Sequence, residues 1–447
     1  MKRKLLLLFI LISSSLRVIS QELQPPVLGS DAIKLGNELY SDERYERAIK
    51  EFQKVGKWDT TYCKAQLRLS WAYYKTEKYE DLLTSAHELA RSCGNLPDGK
   101  EFLGIALINL ERYDEAVAVF DAAIEEWPFY PSFYANKANA YRLSKRPDLA
   151  FNTLKELLNF NPYNPQGHAE LAELCVDNGL LVEACLAFNA AILFEMNGDR
   201  ALRRIIRLES LLSGKAEISN ISTPLDPNDN FKSIAQLVQS NAALSKKYKT
   251  PSKLKFPIVN QNHLIFEQLR KNKSKGFFSQ FYADSYVQIM EDEQFANFSY
   301  TLLFPSKNEQ VIKVLKKKKE DVFSFWKDFK NSWYEKNNFA DLGDKGPGEP
   351  VRLWFSDQLV FDGYGGDKEL TKPYEVVLFN SNGRRYMTGQ AEEGKLNGKC
   401  TYYNEEAVVL REVTIKKGLF QDSYIEYYNN GNKRLEGECK DDERIGN

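Results

Sequence analysis

The sequence predicts a multidomain α + β chain: an α-solenoid of about five helical hairpins, a further helical segment, and a C-terminal array of antiparallel β-hairpins. Three observations predict it. Tyrosine recurs every 34 residues at Tyr45, Tyr79 and Tyr113, a phase continued by Pro147 and Leu181. A breaker-rich stretch over 337–350, with Gly343, Gly346-Pro347-Gly348 and Pro350, separates helical from β-type spacing. Beyond it Gly394, Gly418 and Asp442 stand 24 apart, as do Gly398, Asp422 and Gly446.

The chain opens on basic Lys2, Arg3 and Lys4, the apolar run Leu5 to Ile12, then Val18-Ile19-Ser20. A basic start, a short apolar run and small residues before the cut predict a secretory signal peptide, residues 1–20, cleaved after Ser20. The apolar run is far shorter than the roughly 20 residues of a membrane-spanning helix.

The repeat region is read over 29–212, with units starting near Gly29, Cys63, Pro97, Pro131 and Pro165. Leu35-Gly36, Leu69-Ser70, Leu103-Gly104, Lys137-Ala138 and Leu171-Ala172 fall in equivalent places. Ala48, Leu82, Ala116, Ala150 and Ala184 form a second column. Small residues at such columns let two helices approach closely. Pro128 and Pro162 stop the second helix of their units. A fixed period near 34 is the signature of stacked helical hairpins, and these columns resemble the tetratricopeptide repeat (TPR) family. Lys137, Ser70 and Leu82 depart from the family pattern. Asp199 to Leu212 reads as a terminal helix that caps the stack.

The resemblance implies a protein-binding groove lined by the first helix of each unit. Carried over position by position, its lining is Asn37, Tyr40, Trp71, Tyr74, Ile105, Ile108, Asn139, Arg142, Glu173 and Val176. The centre is then aromatic and aliphatic, which suits an apolar or aromatic segment of a protein partner. The competing expectation is that segment 214–335 folds back and fills the groove itself.

Residues 213–336 lose the phase. Asp226-Pro227-Asn228-Asp229 reads as turn and helix-start chemistry, and apolar spacing predicts helices near 230–247, 261–272, 277–295 and 308–335. In the last, Val311, Leu315, Val322, Phe325, Phe329 and Trp333 share one face and read as core. From 351 to 447 the pattern is β. Val351–Phe355 and Leu359–Phe361 read as strands and Gly363-Tyr364-Gly365-Gly366 as a turn. Asn382-Gly383 and Asn430-Gly431 are hairpin turns of the type that needs positive φ. Tyr427 to Gly437 resembles the MORN-repeat variant of YwqK-like antitoxins, which implies a hairpin array over about 374–447.

Six cysteines do not make a disulfide scaffold for 447 residues. Cys63 opens the second unit and Cys93 follows its second helix, places that an antiparallel hairpin brings to one end. A bridge and two buried free thiols both fit this, and export favours the bridge. His168 and Cys175, seven apart on one helix, read as a packed pair rather than half of a metal site. A net charge of -1 excludes general nucleic-acid binding. Lys316 to Lys319, beside Glu320 and Asp321, read as a solvated face. Phosphate-loop, zinc-helix and nucleophile-elbow motifs are absent from the sequence. No catalytic, cofactor or metal residues are therefore assigned. The expected function is a non-enzymatic interaction scaffold of the cell envelope. The alternatives are an antitoxin-like protein and an envelope enzyme with its site in 214–335.

Overall fold

In the computed structural model the described residues are 28–93, 96–127, 130–196, 198–219 and 223–337, followed by 349–355, 358–365, 374–379, 385–392, 395–404, 408–417, 419–428, 432–440 and 443–445. The expected signal peptide and the Asn382-Gly383 and Asn430-Gly431 turns lie outside them. The chain divides into two compact units between Glu111 and Arg112.

The first unit holds α1 (Gly29–Ser41), α2 (Tyr45–Phe52), α3 (Tyr62–Lys75), α4 (Tyr79–Ser92) and α5 (Pro97–Asn109). Gly36 on α1 faces the Phe52 ring so closely that a Cβ there would come within 2.4 Å of it. Ala48 and Phe52 are fully buried in turn. Leu35 is 45% exposed. Cys63 and Cys93 are joined in a disulfide.

The second unit continues the same script with α6 (Tyr113–Glu126), α7 (Pro131–Leu143), α8 (Pro147–Phe160), α9 (Pro165–Asp177) and α10 (Leu181–Phe194), capped by α11 (Gly198–Leu212). The turn of every helix pair contains one residue of positive φ: Glu43, Glu77, Glu111, Lys145 and Gly179. These positions keep the 34-residue phase. At four of them the next amide donates to the carbonyl five residues back, as Arg44 does to Leu39 and Leu180 to Cys175. This is a helix-terminating motif with a left-handed residue, a place glycine usually fills. Only the last unit uses one.

Helices α12 (Lys232–Gln239), α13 (Pro257–Leu269), α14 (Asp284–Glu291, entered through a π turn at Ser279–Ala283), α15 (Phe295–Leu302) and α16 (Glu309–Asn337, kinked at Lys318) follow. The expected helix 230–247 is shorter than read. The expected helix 277–295 stops at Glu291, and α15 begins where that helix was to end. Asp226 and Asp229 do not cap the local helix α12, a correction to the helix-start reading. Asp226 accepts from the Phe277 amide, and Asp229 accepts from the amides of Phe278 and Ser279. Their capping thus serves a helix start some 50 residues away, and Gly276 permits the approach, since a Cβ there would lie 2.4 Å from Asp229.

These helices share one hydrophobic core with α7 to α11. All 14 residues of α10 are buried, the mark of a helix enclosed on every side. Phe325, Phe329 and Trp333 lie in this core. The Trp333 indole donates to the Pro162 carbonyl at 2.9 Å, the Trp326 indole to Leu193 at 2.8 Å, and the Tyr286 hydroxyl to Leu186 at 2.9 Å.

The C-terminal region forms an antiparallel sheet of β1 (Glu349–Phe355), β2 (Gln358–Gly365), β3 (Tyr374–Phe379), β4 (Arg385–Glu392), β5 (Lys395–Leu396), β6 (Gly398–Tyr403), β7 (Val409–Lys416), β8 (Leu419–Tyr427), β9 (Lys433–Lys440) and β10 (Glu443–Ile445). The order follows the sequence, with β5 paired only to β4. Gly363, Tyr364 and Gly365 are strand residues, a correction to the turn reading: they pair with Val351, Pro350 and Glu349. Gly363 and Tyr364 are also paired on the other side, with Val376 and Glu375, which holds this stretch extended. Irregularities at Leu378/Phe379, Tyr402/Tyr403 and Glu426/Tyr427 recur with the 24-residue phase. Among the described residues, Met387, Cys400, Val413, Ile415, Tyr424 and Cys439 form a buried cluster on the sheet.

Candidate protein-binding faces

In the first unit the assigned first-helix positions form an aromatic face. Trp71 is 40% exposed and Tyr74 37%, a large apolar area to leave open on two adjacent turns. The Trp71 ring meets Phe102 edge-on at 4.9 Å and Tyr74 at 6.2 Å, so its orientation is set by neighbours. Tyr40 packs on Tyr45 at 5.0 Å. Burial pushes the Tyr40 hydroxyl pKa up, Tyr45 adds to this, and the nearby Arg68 opposes it. Asn37 and Ile105 are half-buried. Ile108 is 6% exposed and belongs to the core, a correction to its assignment as groove lining.

In the second unit the assigned positions are engaged within the chain. Arg142 donates to Asp177 at 2.8 Å and to Asn139 at 2.9 Å. Glu173 is held by Arg207 of the capping helix. Val176 is buried, and its carbonyl accepts from Ser219 while that of Asn178 accepts from Thr223. Asn139, Arg142 and Glu173 therefore do not form an open lining: Arg142 and Asn139 are tied to each other and to Asp177 of α9, and Glu173 to Arg207 of α11. The rest of the segment packs elsewhere. Phe277 and Phe278 lie on Phe151 of α8, and Asn262 pairs with Asn189 of α10. Both are second helices, while Tyr282 reaches His168 on α9, a first helix; of the assigned groove positions the segment bonds the Val176 carbonyl.

His168 is buried between the Tyr282 hydroxyl (2.7 Å) and the Pro162 carbonyl (3.0 Å), and burial lowers its pKa to about 3. Cys175 and Cys185 are buried thiols whose pKa burial pushes up. Among the described residues no group of three or more His, Cys, Asp or Glu is placed to hold a metal ion, and no helix is long and apolar enough to cross a membrane. Sequence reasoning missed the enclosure of α10, which its composition, Leu181 to Phe194 with a single charged residue, could have shown.

Residues 101–126 match the tetratricopeptide repeat family model TPR_8. Tetratricopeptide repeat protein 36 of Caenorhabditis elegans is 45% identical over 56 residues, 12% of this chain; the chain spans 31% of that relative's length. Among solved structures, a thermophilic TPR protein of Thermus thermophilus is 23% identical, with 41% of this chain and 99% of that one covered and a TM-score of 0.37. PilF of Pseudomonas aeruginosa is 18% identical, with 42% and 85% covered and a TM-score of 0.33. The family match and the helix pairs agree: the chain carries tetratricopeptide repeats.

Proposed function

We propose that this chain is an exported, non-enzymatic protein–protein interaction scaffold of the cell envelope, whose aromatic face around Trp71 takes an apolar or aromatic segment of a partner protein. Proteins with such repeats generally act as interaction scaffolds. The observation that carries the reading is the pair Trp71 and Tyr74, exposed yet held in place by neighbouring rings. Rigid aromatics of this kind carry much of the affinity in protein interfaces. Export is supported by the Cys63–Cys93 bridge, since disulfides persist in oxidising compartments. The C-terminal sheet is a second docking surface in this reading, and its 24-residue recurrence supports the MORN-variant resemblance.

The test is a pull-down of the mature protein from envelope extract, run beside the Trp71→Ala variant. One stoichiometric envelope protein, lost with the variant, is the expected result. Recovery of a cognate toxin instead, or turnover of an envelope polymer, would replace the scaffold reading by the antitoxin or enzyme alternative.

A further inference from the structure

A second site lies far from the aromatic face in sequence, in the cleft bounded by α14, the start of α15 and the second half of α16. The cleft has a volume of about 610 Å³. Its rim carries Asp292, Asp321 and Asp328, and none of the residues lining it is basic. Ile289, Phe325 and Phe329, each almost fully buried, supply apolar wall. Ser285 also lines the cleft, is 7% exposed, and its hydroxyl has no hydrogen-bond partner. A buried hydroxyl left unpaired is costly and rare in a folded chain.

The carboxylates are only partly engaged. Asp292 accepts from Gln288 at 2.8 Å, Asp328 from Ser324 at 3.3 Å, and Asp321 lies 3.6 Å from Lys318 outside the cleft. A cleft lined by one sign of charge over apolar walls concentrates ligands of the opposite sign. An anion is repelled there. A metal ion lacks a ligand set, since no suitable cluster exists among the described residues.

We propose that this cleft binds an organic cation carried on an apolar stem, an alkylammonium or guanidinium group. The aspartates hold the charge, the Phe325, Phe329 and Ile289 walls pack on the stem, and an N–H of the ligand donates to the Ser285 hydroxyl. The cation can come from a free amine or from a lysine or arginine side chain of a partner, and the two probes separate these sources.

Calorimetric titration of the full mature chain with cadaverine, and separately with the tripeptide acetyl-Gly-Arg-Gly-amide, tests this. At least one probe is expected to bind. The double variant Asp292→Asn/Asp328→Asn, at two exposed positions and checked to keep the wild-type melting temperature, should weaken it by about tenfold or more. Ser285→Ala should weaken it less and, by removing an unpaired buried hydroxyl, should keep or raise thermal stability. Preference for the tripeptide identifies a side chain of a partner, and preference for cadaverine a free amine. Absence of binding by both probes, equal binding of the neutral citrulline tripeptide, or an affinity unchanged in the double aspartate variant would overturn the proposal.

Discussion

Arg207 and Glu173 stand 34 residues apart and are joined by two hydrogen bonds, Nε to Oε1 at 3.0 Å and Nη2 to Oε2 at 2.9 Å. The separation equals the repeat period. The capping helix therefore presents to the fifth unit the residue that a sixth unit would place there, and it ends the solenoid in phase rather than by an unrelated turn. A terminal unit of this kind closes a stack whose inner units are covered on both sides.

Both partners are about one-third exposed, so solvent screens the pair. A double-mutant cycle with Glu173→Ala and Arg207→Ala should return a coupling of no more than about 1 kcal/mol. Chemical denaturation of the four proteins measures it. A much larger coupling would show that the cap holds the solenoid end through this pair rather than through buried Ile205 and Leu208.

Two buried titratable groups give opposite pH effects. His168, lowered from 6.5 to about 3, stays neutral in the folded chain while the unfolded chain takes up a proton below pH 6.5. Its contribution to stability is lost as pH falls from about 6.5 towards 3. Glu183, raised from 4.5 to about 7 by burial, holds its proton in the folded chain between pH 4.5 and 7. Its burial penalty disappears as pH falls through that window. Relative to wild type, His168→Gln should gain stability below pH 6 and Glu183→Gln above pH 7. Neither slope can exceed about 1.4 kcal/mol per pH unit. Thermal melts of the three proteins from pH 4 to 8 would show parallel curves if these assignments were wrong.

The Cys63–Cys93 bridge closes a loop of 30 residues in sequence separation, and a loop of that size stabilises by about 3 to 4 kcal/mol through the unfolded state. Cys63→Ser/Cys93→Ser should lower the melting temperature of the exported protein by several degrees. Mass spectrometry of the same material should find an N-terminus at Gln21 or within a few residues of it. An intact Met1 would refute export, and free thiols in non-reducing peptide maps would remove the bridge.

At the aromatic face, Trp71→Ala and Tyr74→Ala should each weaken partner binding by roughly 2 kcal/mol if they are hot spots, while circular dichroism stays unchanged. Arg68→Ala, which removes the positive charge near Tyr40, serves as a charge control. Wild-type affinity in both aromatic variants would move the partner to another surface, the C-terminal sheet first.

The 34-residue columns made the helix pairs legible because the constraint is local and repeated: a small residue at Gly36 or Ala48 is required wherever two helices touch, whatever lies further off. The helical face of Val322, Phe325, Phe329 and Trp333 was legible as core for the same reason. Tertiary context decided the rest. Glu173 and Arg142 occupy groove positions by count, yet their charges are met by Arg207 and Asp177, partners about one repeat away that no local pattern names. Asp226 and Asp229 have the composition of a local helix start and cap one about 50 residues downstream, because the core folds the two segments together. Gly363 has turn chemistry and lies in a strand, because ladder pairing with both neighbouring strands outweighs the intrinsic preference of a glycine, and Gly365 follows it through pairing with Glu349. Repeat period and helix existence were thus set by near-neighbour sterics written into the sequence. Which polar groups remain open to a partner was set by long-range packing, which only the folded chain contains.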